Sequence, residues 1–304
     1  MTCLEILGGG DATVVANELR RLDSEGQFVV TVRAAPAATA AAVALSVVAP
    51  SVAAMYHGAK LAPHADVALV EHESLPDQAA RLWYERLSLF GAALRDEGQA
   101  SSPAVLHAFD PRWAAAAGRR LRRLQAALTN VGAAQGAMFD HIGSTSVPGL
   151  AAKPILDLQV RVRRLRYDAD FDRALRRVGY KPAVGSRPDS PGVDKDTPRG
   201  SEPVPDDVWD KRLFVSPDPA QPVILHIRQS ASPWGRFTVQ FRDWLRDHPA
   251  EAARYERVKR QLAQAHEFDL DYDDYTRGKA AYFDDIQAQF ERWGRGEPWS
   301  TIRT

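Results

Sequence analysis

The feature that most constrains this 304-residue chain is a polar break after its first third. Residues 96–103 read Asp-Glu-Gly-Gln-Ala-Ser-Ser-Pro and contain no large apolar side chain. A polar segment that ends in proline is typical of a linker, because it can neither join a core nor continue a helix. The sequence therefore predicts two domains, residues 1–98 and 105–304, joined by a linker at residues 99–104.

Short apolar runs alternate with helical periodicity in the first of these domains. Residues 4–7, 28–32 and 67–70 are typical of short buried strands. Apolar side chains recur at helical spacing over residues 11–22, and a further helix is predicted over residues 76–94. This alternation favours an α/β domain with a parallel sheet.

Residues 34–59 contain no Lys, Arg, Asp or Glu, and the stretch is long enough to span a bilayer. Its apolar residues are mostly alanine, which drives membrane insertion poorly, and Pro36, Pro50 and His57 interrupt it. We therefore interpret it as a buried, alanine-rich helix. The first residues lack the basic region of a secretory signal. We expect a cytoplasmic protein that contacts no membrane.

Charge and cysteine content exclude further classes. The 39 Lys and Arg residues balance 39 Asp and Glu residues, so nucleic acid is an unlikely partner by bulk charge. The single cysteine, Cys3, excludes an internal disulfide and a four-thiolate zinc site. Four arginines at positions 119, 120, 122 and 123 are interpreted as the solvated side of an amphipathic helix.

The second domain carries the residues that point to chemistry. Gly143 and Ser144 form a turn, and Asp157 follows on a strand predicted over residues 155–162. A Gly-Ser turn offers backbone N–H groups and a hydroxyl to a phosphate. A strand aspartate can hold Mg²⁺ that bridges phosphate groups. The spacing predicts a phosphate site with Mg²⁺ as its cofactor.

The rest of this domain predicts an α+β fold. Two further strands are predicted at residues 212–215 and 223–228, and the chain after Trp234 is helical. Residues 185–207 lack an apolar period and predict a long loop. That loop is either a lid that orders on a ligand or a solvated excursion, and we favour the excursion.

The segment His141-Ile-Gly-Ser-Thr-Ser-Val-Pro-Gly-Leu-Ala-Ala-Lys-Pro-Ile155 resembles the signature of the GrpB family. The similarity covers about residues 105–293 and continues at residues 211–212, 225–226, 241–246, 255–259 and 275–279. It implies a nucleotidyltransferase-like fold with a mixed sheet and a helical tail. The chain is similar in particular to the GrpB domain that is fused behind dephospho-CoA kinase in actinobacteria.

The resemblance also implies roles for individual residues. Asp157 and His226 become candidate catalytic residues, with Asp157 as the metal ligand. The candidate phosphate-binding residues are Gly143, Ser144, Thr145, Lys153 and Arg212. The superfamily pattern has a second carboxylate where this chain has Gln159, and an acid on the neighbouring strand where it has His226. Lys153 and Arg212 could instead form surface ion pairs, His226 could be a core histidine, and Asp157 could cap the turn.

The first domain resembles a shortened and degenerate dephospho-CoA kinase. Residues 65–90 are similar to the last strand and helix of the actinobacterial enzymes, which implies a reduced P-loop-kinase-like domain. A P-loop requires a lysine that reaches the β- and γ-phosphates. Residues 7–14 contain glycines but no lysine, and the first lysine in the chain is Lys60. We predict no dephospho-CoA kinase activity.

Four functional hypotheses follow. The first is a protein that binds a nucleotide or another phosphorylated small molecule, with weak or no nucleotidyl transfer. The second is an active nucleotidyltransferase. The third is a dephospho-CoA kinase-related protein of coenzyme A biosynthesis. The fourth is a folding-accessory or interaction domain whose helical tail docks a protein partner.

Overall fold

The computed structural model describes residues 1–7, 10–33, 43–48, 65–70, 74–96, 103–199 and 202–294. They form two sheets, one on each side of the predicted linker. Most of that linker, the glycines at positions 8 and 9, and most of the alanine-rich stretch lie outside the described residues. The domain boundaries at residues 98 and 105 therefore stay a prediction.

The first sheet has four parallel strands in the order β2-β1-β3-β4. They are β1 (Thr2–Leu7), β2 (Phe28–Arg33), β3 (Val43–Val48) and β4 (Val67–Val70). The predicted parallel sheet is confirmed. Strand β3 lies inside the alanine-rich stretch, so the expectation of a buried helix is wrong for these six residues. Valines at 43, 47 and 48 favour a strand over a helix because branching at Cβ restricts χ1.

Helices cover this sheet with apolar side chains. They are α1 (Gly10–Leu22), α2 (Leu75–Leu82) and α3 (Ser88–Arg95), and a π-helical turn at Trp83–Leu87 joins the last two. The hydroxyl of Ser74 caps α2 by accepting from the Asp77 N–H at 3.4 Å. Because residues 8 and 9 are not described, the kinase-like character of this half stays a prediction.

The second sheet is mixed, as predicted, with the order β5-β6-β9-β8-β7. Its strands are β5 (Met138–Ile142), β6 (Leu156–Val162), β7 (Lys181–Pro182), β8 (Lys211–Ser216) and β9 (Val223–Gln229). Strands β6 and β9 pair in parallel, whereas the other neighbours are antiparallel. The strands predicted near residues 155–162, 212–215 and 223–228 are confirmed.

Helices lie on both faces of this sheet. The helices α4 (Arg112–Leu128) and α5 (Ala169–Arg177) bury one face. The predicted helical tail consists of α6 (Pro233–Asp247), α7 (Pro249–Ala265) and α8 (Asp273–Gly294). Its aromatic side chains form a second core beside the opposite face. Within the described residues, no helix combines the length and the apolar content of a membrane span.

Apolar and polar side chains alternate along strand β6, so one set lies in the core and the other in the candidate site. Leu156, Leu158 and Val160 are buried against α4 and α5. Successive side chains of a strand point to opposite faces, so Asp157 and Gln159 face the helical tail. The candidate site therefore lies between the sheet and that tail.

A buried aspartate joins the two halves of the chain. Asp218, in the turn between β8 and β9, pairs with Arg86 of the first half at 2.7 Å and with Arg120 of α4 at 2.6 Å. The Arg86 bond is bidentate, because both guanidinium nitrogens Nε and Nη2 reach the carboxylate. Water is excluded here, so these charges depend on one another.

A second aspartate repeats this arrangement beside the first. Asp66, just before β4, pairs with Arg123 at 2.6 Å and with Arg119 at 3.3 Å. Burial alone would raise the pKa of the Asp66 carboxyl, but Arg123, Arg120 and Arg86 together lower it. The interpretation of the arginine cluster as a solvated helix side is wrong, since Arg120 and Arg123 are only 2% and 3% exposed.

We expect Asp218→Asn to lower the free energy of unfolding by about 3–5 kcal/mol, because it leaves buried guanidinium charge unpaired. Urea denaturation at pH 7 measures this loss. The matched control is Asp285→Asn, whose pair with Arg254 lies at the surface and should matter little.

The pKa of Asp218 is lowered in the folded chain. Its contribution is therefore present above pH ~4 and is lost as the pH falls, so the variant should show a weaker acid dependence. Equal losses in the two variants would contradict this prediction.

Candidate functional site

A cavity of about 480 Å³ lies between the polar face of the second sheet and the helical tail. Its size is within the range of small-molecule sites, which is roughly 300–1,000 Å³. Most of the site residues predicted from the sequence line it, namely Gly143, Ser144, Thr145, Lys153, Asp157 and His226. The structure thus brings together residues from a turn, two strands and the segment between them.

Arg212 does not join this group. Its guanidinium pairs with Asp172 of α5 at 2.7 Å and lies 4.9 Å from the ring centre of Phe214. Its neighbour Lys211 lines the cavity instead and pairs with Asp196 at 3.2 Å. Adjacent residues of β8 face opposite sides, so one of the two had to point away.

The turn at Gly143 has a conformation that glycine alone suits. Its φ of 70° lies in the left-handed region. A Cβ atom at this position would lie 2.3 Å from Oδ2 of Asp157. The absence of a side chain at Gly143 therefore lets the Asp157 carboxylate lie directly against the turn.

Hydrogen bonds fix the rest of this turn. Residues Ser144–Ser146 form a single 3₁₀ turn, and the hydroxyl of Ser146 donates to the carbonyl of Gly143 at 2.5 Å. The hydroxyl of Thr145 lies 3.0 Å from Nε2 of His141 and is buried. The turn is thus held in place by the protein's own hydrogen bonds.

A lysine from the helical tail lies behind the turn. Lys259 of α7 is 1% exposed and donates to the hydroxyl of Ser144 at 3.0 Å and to the carbonyl of Ala151. Burial, followed by repulsion from Lys279, lowers the pKa of Lys259 to about 7. Lys259 lies within the similarity at residues 255–259, but no local pattern in the sequence predicts that it joins the site.

Two further lysines line the cavity. The ammonium of Lys153 lies 3.3 Å from the ring centre of Tyr272, and that of Lys279 lies 4.8 Å from the ring centre of Tyr275. In the part of the chain that the structure describes, neither lysine forms an ion pair with a carboxylate. Burial and the charge of Lys279 lower the pKa of Lys153 to about 7, against an opposing effect of Asp157. Burial also lowers the pKa of Lys279.

Asp157 is the carboxylate at the centre of these groups. Its side chain is 33% exposed, and Oδ1 lies 3.8 Å from Nε2 of His226, which is too long for a hydrogen bond. Burial alone would raise the pKa of Asp157, but His226, Lys153 and Lys279 lower it. The carboxylate is therefore ionised at neutral pH.

His226 is a neutral imidazole in this site. Burial lowers its pKa to about 4, and Arg228 and Lys211 lower it in the same direction. Its Nδ1 lies 3.4 Å from the ammonium of Lys211. The side chain can accept or donate a hydrogen bond at neutral pH, but it adds no positive charge to the cavity.

Gln159, two residues after Asp157, is fully buried and hydrogen-bonded. Its Oε1 accepts from Arg228 at 2.8 Å and from Thr238 at 3.1 Å, and its Nε2 donates to the carbonyl of Gly235 at 2.9 Å. The amide oxygen is thus committed to protein donors, one of them a guanidinium.

These residues do not fit a Mg²⁺ ion well. Mg²⁺ requires an octahedron of oxygen ligands. Among the described residues, no group of three or more His, Cys, Asp or Glu side chains could hold a metal ion. Asp157 provides one carboxylate, the amide of Gln159 is occupied, and ammonium groups lie nearby.

The loop predicted over residues 185–207 forms another wall of the cavity. Arg187 pairs with Asp271 at 2.8 Å and with Asp274 at 2.9 Å, both next to the start of α8. The hydroxyl of Ser190 donates to Asp273 at 2.5 Å. The interpretation as a solvated excursion is therefore wrong for the described residues up to 199, because ion pairs hold them over the site.

Comparison with known proteins places this geometry in a family. Residues 103–289 match the family model described as GrpB protein, which is more than half of the chain. This chain belongs to the GrpB family. The resemblance found in the sequence is thereby confirmed.

Similarity extends to longer relatives of the GrpB protein. A dephospho-CoA kinase of Mycolicibacterium paratuberculosis is 31% identical over 233 residues, covering 74% of this chain and 55% of that protein. A dephospho-CoA kinase of Mycobacterium tuberculosis is 29% identical over 232 residues, covering 75% and 56%. The chain spans about half the length of these curated relatives.

Other relatives are closer to this protein in length. A UPF0157 protein of Streptomyces coelicolor is 35% identical over 174 residues, covering 57% of this chain and 76% of that protein. The crystal structure of the conserved protein GrpB from Enterococcus faecalis has 25% sequence identity and a TM-score of 0.46. It covers 62% of this chain and 99% of that one.

We expect Gly143→Ala to destabilise the GrpB domain more than Gly136→Ala does. Both glycines have a positive φ close to 70°, so each substitution adds roughly 1–2 kcal/mol of backbone strain. Only Gly143 also has the Asp157 carboxylate where the new methyl group would be. Thermal unfolding of both variants measures the difference, and equal melting temperatures would contradict the proposed close contact.

Proposed function

We propose that this GrpB protein binds the phosphate of a nucleotide, or of another phosphorylated small molecule, in the cavity beside the turn at Gly143. Its capacity for nucleotidyl transfer is weak or absent. The observation that carries the proposal is the pair Lys153 and Lys279, which line the cavity without an ion pair to a carboxylate of the described residues. An anionic group is the partner that such a pair lacks.

The electrostatics of the cavity support an anionic ligand. Holding an ammonium away from water costs free energy unless a counter-charge or hydrogen bonds replace the water. Here the replacement is partial, because tyrosine rings contact Lys153 and Lys279, and Asp157 and Asp273 act on Lys153 without forming an ion pair with it. A phosphate at the turn would add charge-assisted hydrogen bonds to both ammonium groups. The hydroxyl of Ser144, which accepts from Lys259, lines the same cavity.

The remaining volume supports a ligand larger than phosphate. Aromatic side chains line another part of the wall, where the ring centres of Trp234 and Phe237 are 5.0 Å apart and Phe283 lies nearby. The guanidinium of Arg199 lies 5.5–5.7 Å from these three ring centres, so a planar base would stack beside it or in its place. A nucleotide would place its phosphate by the lysines and its base along these rings.

The acids present favour binding over transfer. Two-metal phosphoryl chemistry requires carboxylates that hold two cations near the reacting phosphate. Asp157 is the first of these, but Gln159 and His226 are neutral where the superfamily pattern has acids. This replacement supports a site that retains phosphate binding and has lost most of the metal-dependent step.

A second candidate is an accessory role in coenzyme A biosynthesis. It is favoured by the match to proteins named dephospho-CoA kinase, which is longer than the family match at residues 103–289. Asp218 and Asp66 each form a buried ion pair with an arginine of the other half. This rigid connection suits a domain that stabilises the fold of an adjacent domain. Co-purification of this chain with a dephospho-CoA kinase, unaffected by nucleotides, would favour this role.

We expect Lys153→Met to weaken binding of phosphorylated ligands about tenfold or more, equivalent to roughly 1.4 kcal/mol. A panel of ATP, CTP, pyrophosphate and ribose 5-phosphate, tested by thermal shift and then by calorimetry, identifies the ligand and measures the loss. The matched control is Arg212→Met, which removes a cation from the opposite side of β8 and should leave binding intact. Equal effects of the two variants would contradict the proposed site.

Binding should also strengthen as the pH falls through about 7. Lys153, which faces Lys279, Asp157 and Asp273, has its pKa lowered to about 7, and only its protonated form attracts an anion. Between pH 8 and pH 6 we expect the affinity to rise several-fold. Lys153→Arg should flatten this dependence because a guanidinium stays charged, and the comparison cancels titration of the ligand itself. Isothermal titration calorimetry at several pH values provides the measurement, and parallel profiles would contradict the role of Lys153.

A further inference from the structure

We propose that the cavity binds its phosphate without a divalent cation, because the ammonium groups of Lys153 and Lys279 neutralise the charge that a metal ion would otherwise neutralise. This inference rests on the proposed function and specifies how the site holds its ligand. It differs from the Mg²⁺ site that the sequence pattern predicts.

Among the described residues, two of the three acidic side chains in the cavity wall are bound by other residues of the protein. Asp196 is bound by Arg228 through two bonds of 2.6 and 2.9 Å and by Lys211 at 3.2 Å. Asp273 accepts from the hydroxyl of Ser190 at 2.5 Å. Asp196 and Asp273 are only 6% and 4% exposed, whereas the Asp157 side chain is 33% exposed. Asp157 is thus the most accessible carboxylate in this wall, and one carboxylate holds Mg²⁺ only with further oxygen ligands.

The position two residues after Asp157 also lacks a metal ligand. A metal site of this fold would have a second carboxylate on the same face of β6. Gln159 occupies that position, and its oxygen already accepts from the guanidinium of Arg228 at 2.8 Å. A cation beside Gln159 would compete with this donor and meet like charge.

The lysines in and behind the cavity favour an anion over a divalent cation. Lys153 and Lys279 line the same cavity as Asp157, and Lys259 adds a third ammonium behind Ser144. A divalent cation at Asp157 would be repelled by these groups, whereas a phosphate would be attracted to all of them. The cavity is thus arranged for an anion that arrives without its own metal ion.

This arrangement reverses the expected role of Asp157. In a metal site the carboxylate holds the cation, so its removal abolishes phosphate binding. In a lysine site the carboxylate offsets part of the positive charge and can accept a hydrogen bond from a ligand hydroxyl. Phosphate binding should then persist without the Asp157 charge, most clearly below pH 7, because Asp157 also raises the pKa of Lys153.

The test measures binding of nucleoside monophosphates by calorimetry, in EDTA and in millimolar Mg²⁺. AMP, CMP, GMP and UMP serve as probes because a single phosphate chelates Mg²⁺ weakly. We expect affinities within about twofold in the two buffers, and Asp157→Asn to retain its affinity in EDTA at pH 6, where Lys153 is more fully protonated. Lys279→Met should bind at least tenfold more weakly, while Arg212→Met stays unchanged.

Each outcome distinguishes the two proposals. Binding that requires Mg²⁺ and disappears in Asp157→Asn would overturn the metal-free site and leave the proposed function standing. Absence of binding to every monophosphate and to the earlier ligand panel would overturn both. Melting temperatures show whether Asp157→Asn folds. Electron paramagnetic resonance with Mn²⁺ on the unaltered chain gives an independent readout, and a bound Mn²⁺ at micromolar concentration would also overturn the inference.

Discussion

The pairing of β6 with β9 on one side and with β5 on the other determines where the polar side chains of these strands lie. In this register Asp157 lies opposite Ile224, and Gln159 lies opposite His226. A slip of one residue would turn Leu156 and Leu158 into the cavity and carry Asp157 into the apolar core. The hydrophobic effect therefore fixes the register, and the register fixes the site.

Local charge, rather than total charge, determines the chemistry of this protein. The chain is neutral as a whole, yet three lysines of the site lie within or just behind one cavity with few acids to balance them. The three ammonium groups are stabilised by tyrosine rings, the hydroxyl of Ser144 and the backbone carbonyl of Ala151. These contacts stabilise the ammonium groups without neutralising their charge. The positive potential of the cavity therefore remains and can attract an anionic ligand.

The sequence predicts the local part of this arrangement well. Strands β6, β8 and β9, together with the contiguous residues from Gly143 to Lys153, follow from periodicity, turn chemistry and the family resemblance. Strand β3 was missed because the alanines around it favour a helix, while its valines and its place in the sheet decide otherwise. The choice of Arg212 over Lys211 failed because sequence alone does not show which face of β8 meets the cavity.

Contacts between distant parts of the chain were harder to predict. The partners of Arg120 and Arg123 are Asp218 and Asp66, which lie far away in sequence. Lys259 and Lys279 reach the site from separate helices of the tail, and no local pattern joins them to Asp157. The prediction of Mg²⁺ relied on local spacing, which does not show that Gln159 is occupied by Arg228.

The buried aspartates hold the two halves of the chain together at residues that do not line the cavity. A swing of one half against the other would have to hydrate Arg86, Arg119, Arg120 and Arg123 at nearly the same moment, so this boundary behaves as a fixed joint and not as a hinge. The loop beside the cavity differs, because Arg187 is tied to α8 by ion pairs that water reaches. Entry and exit of a ligand would therefore occur on the Arg187 side, while the Gly143 turn and the sheet stay in place.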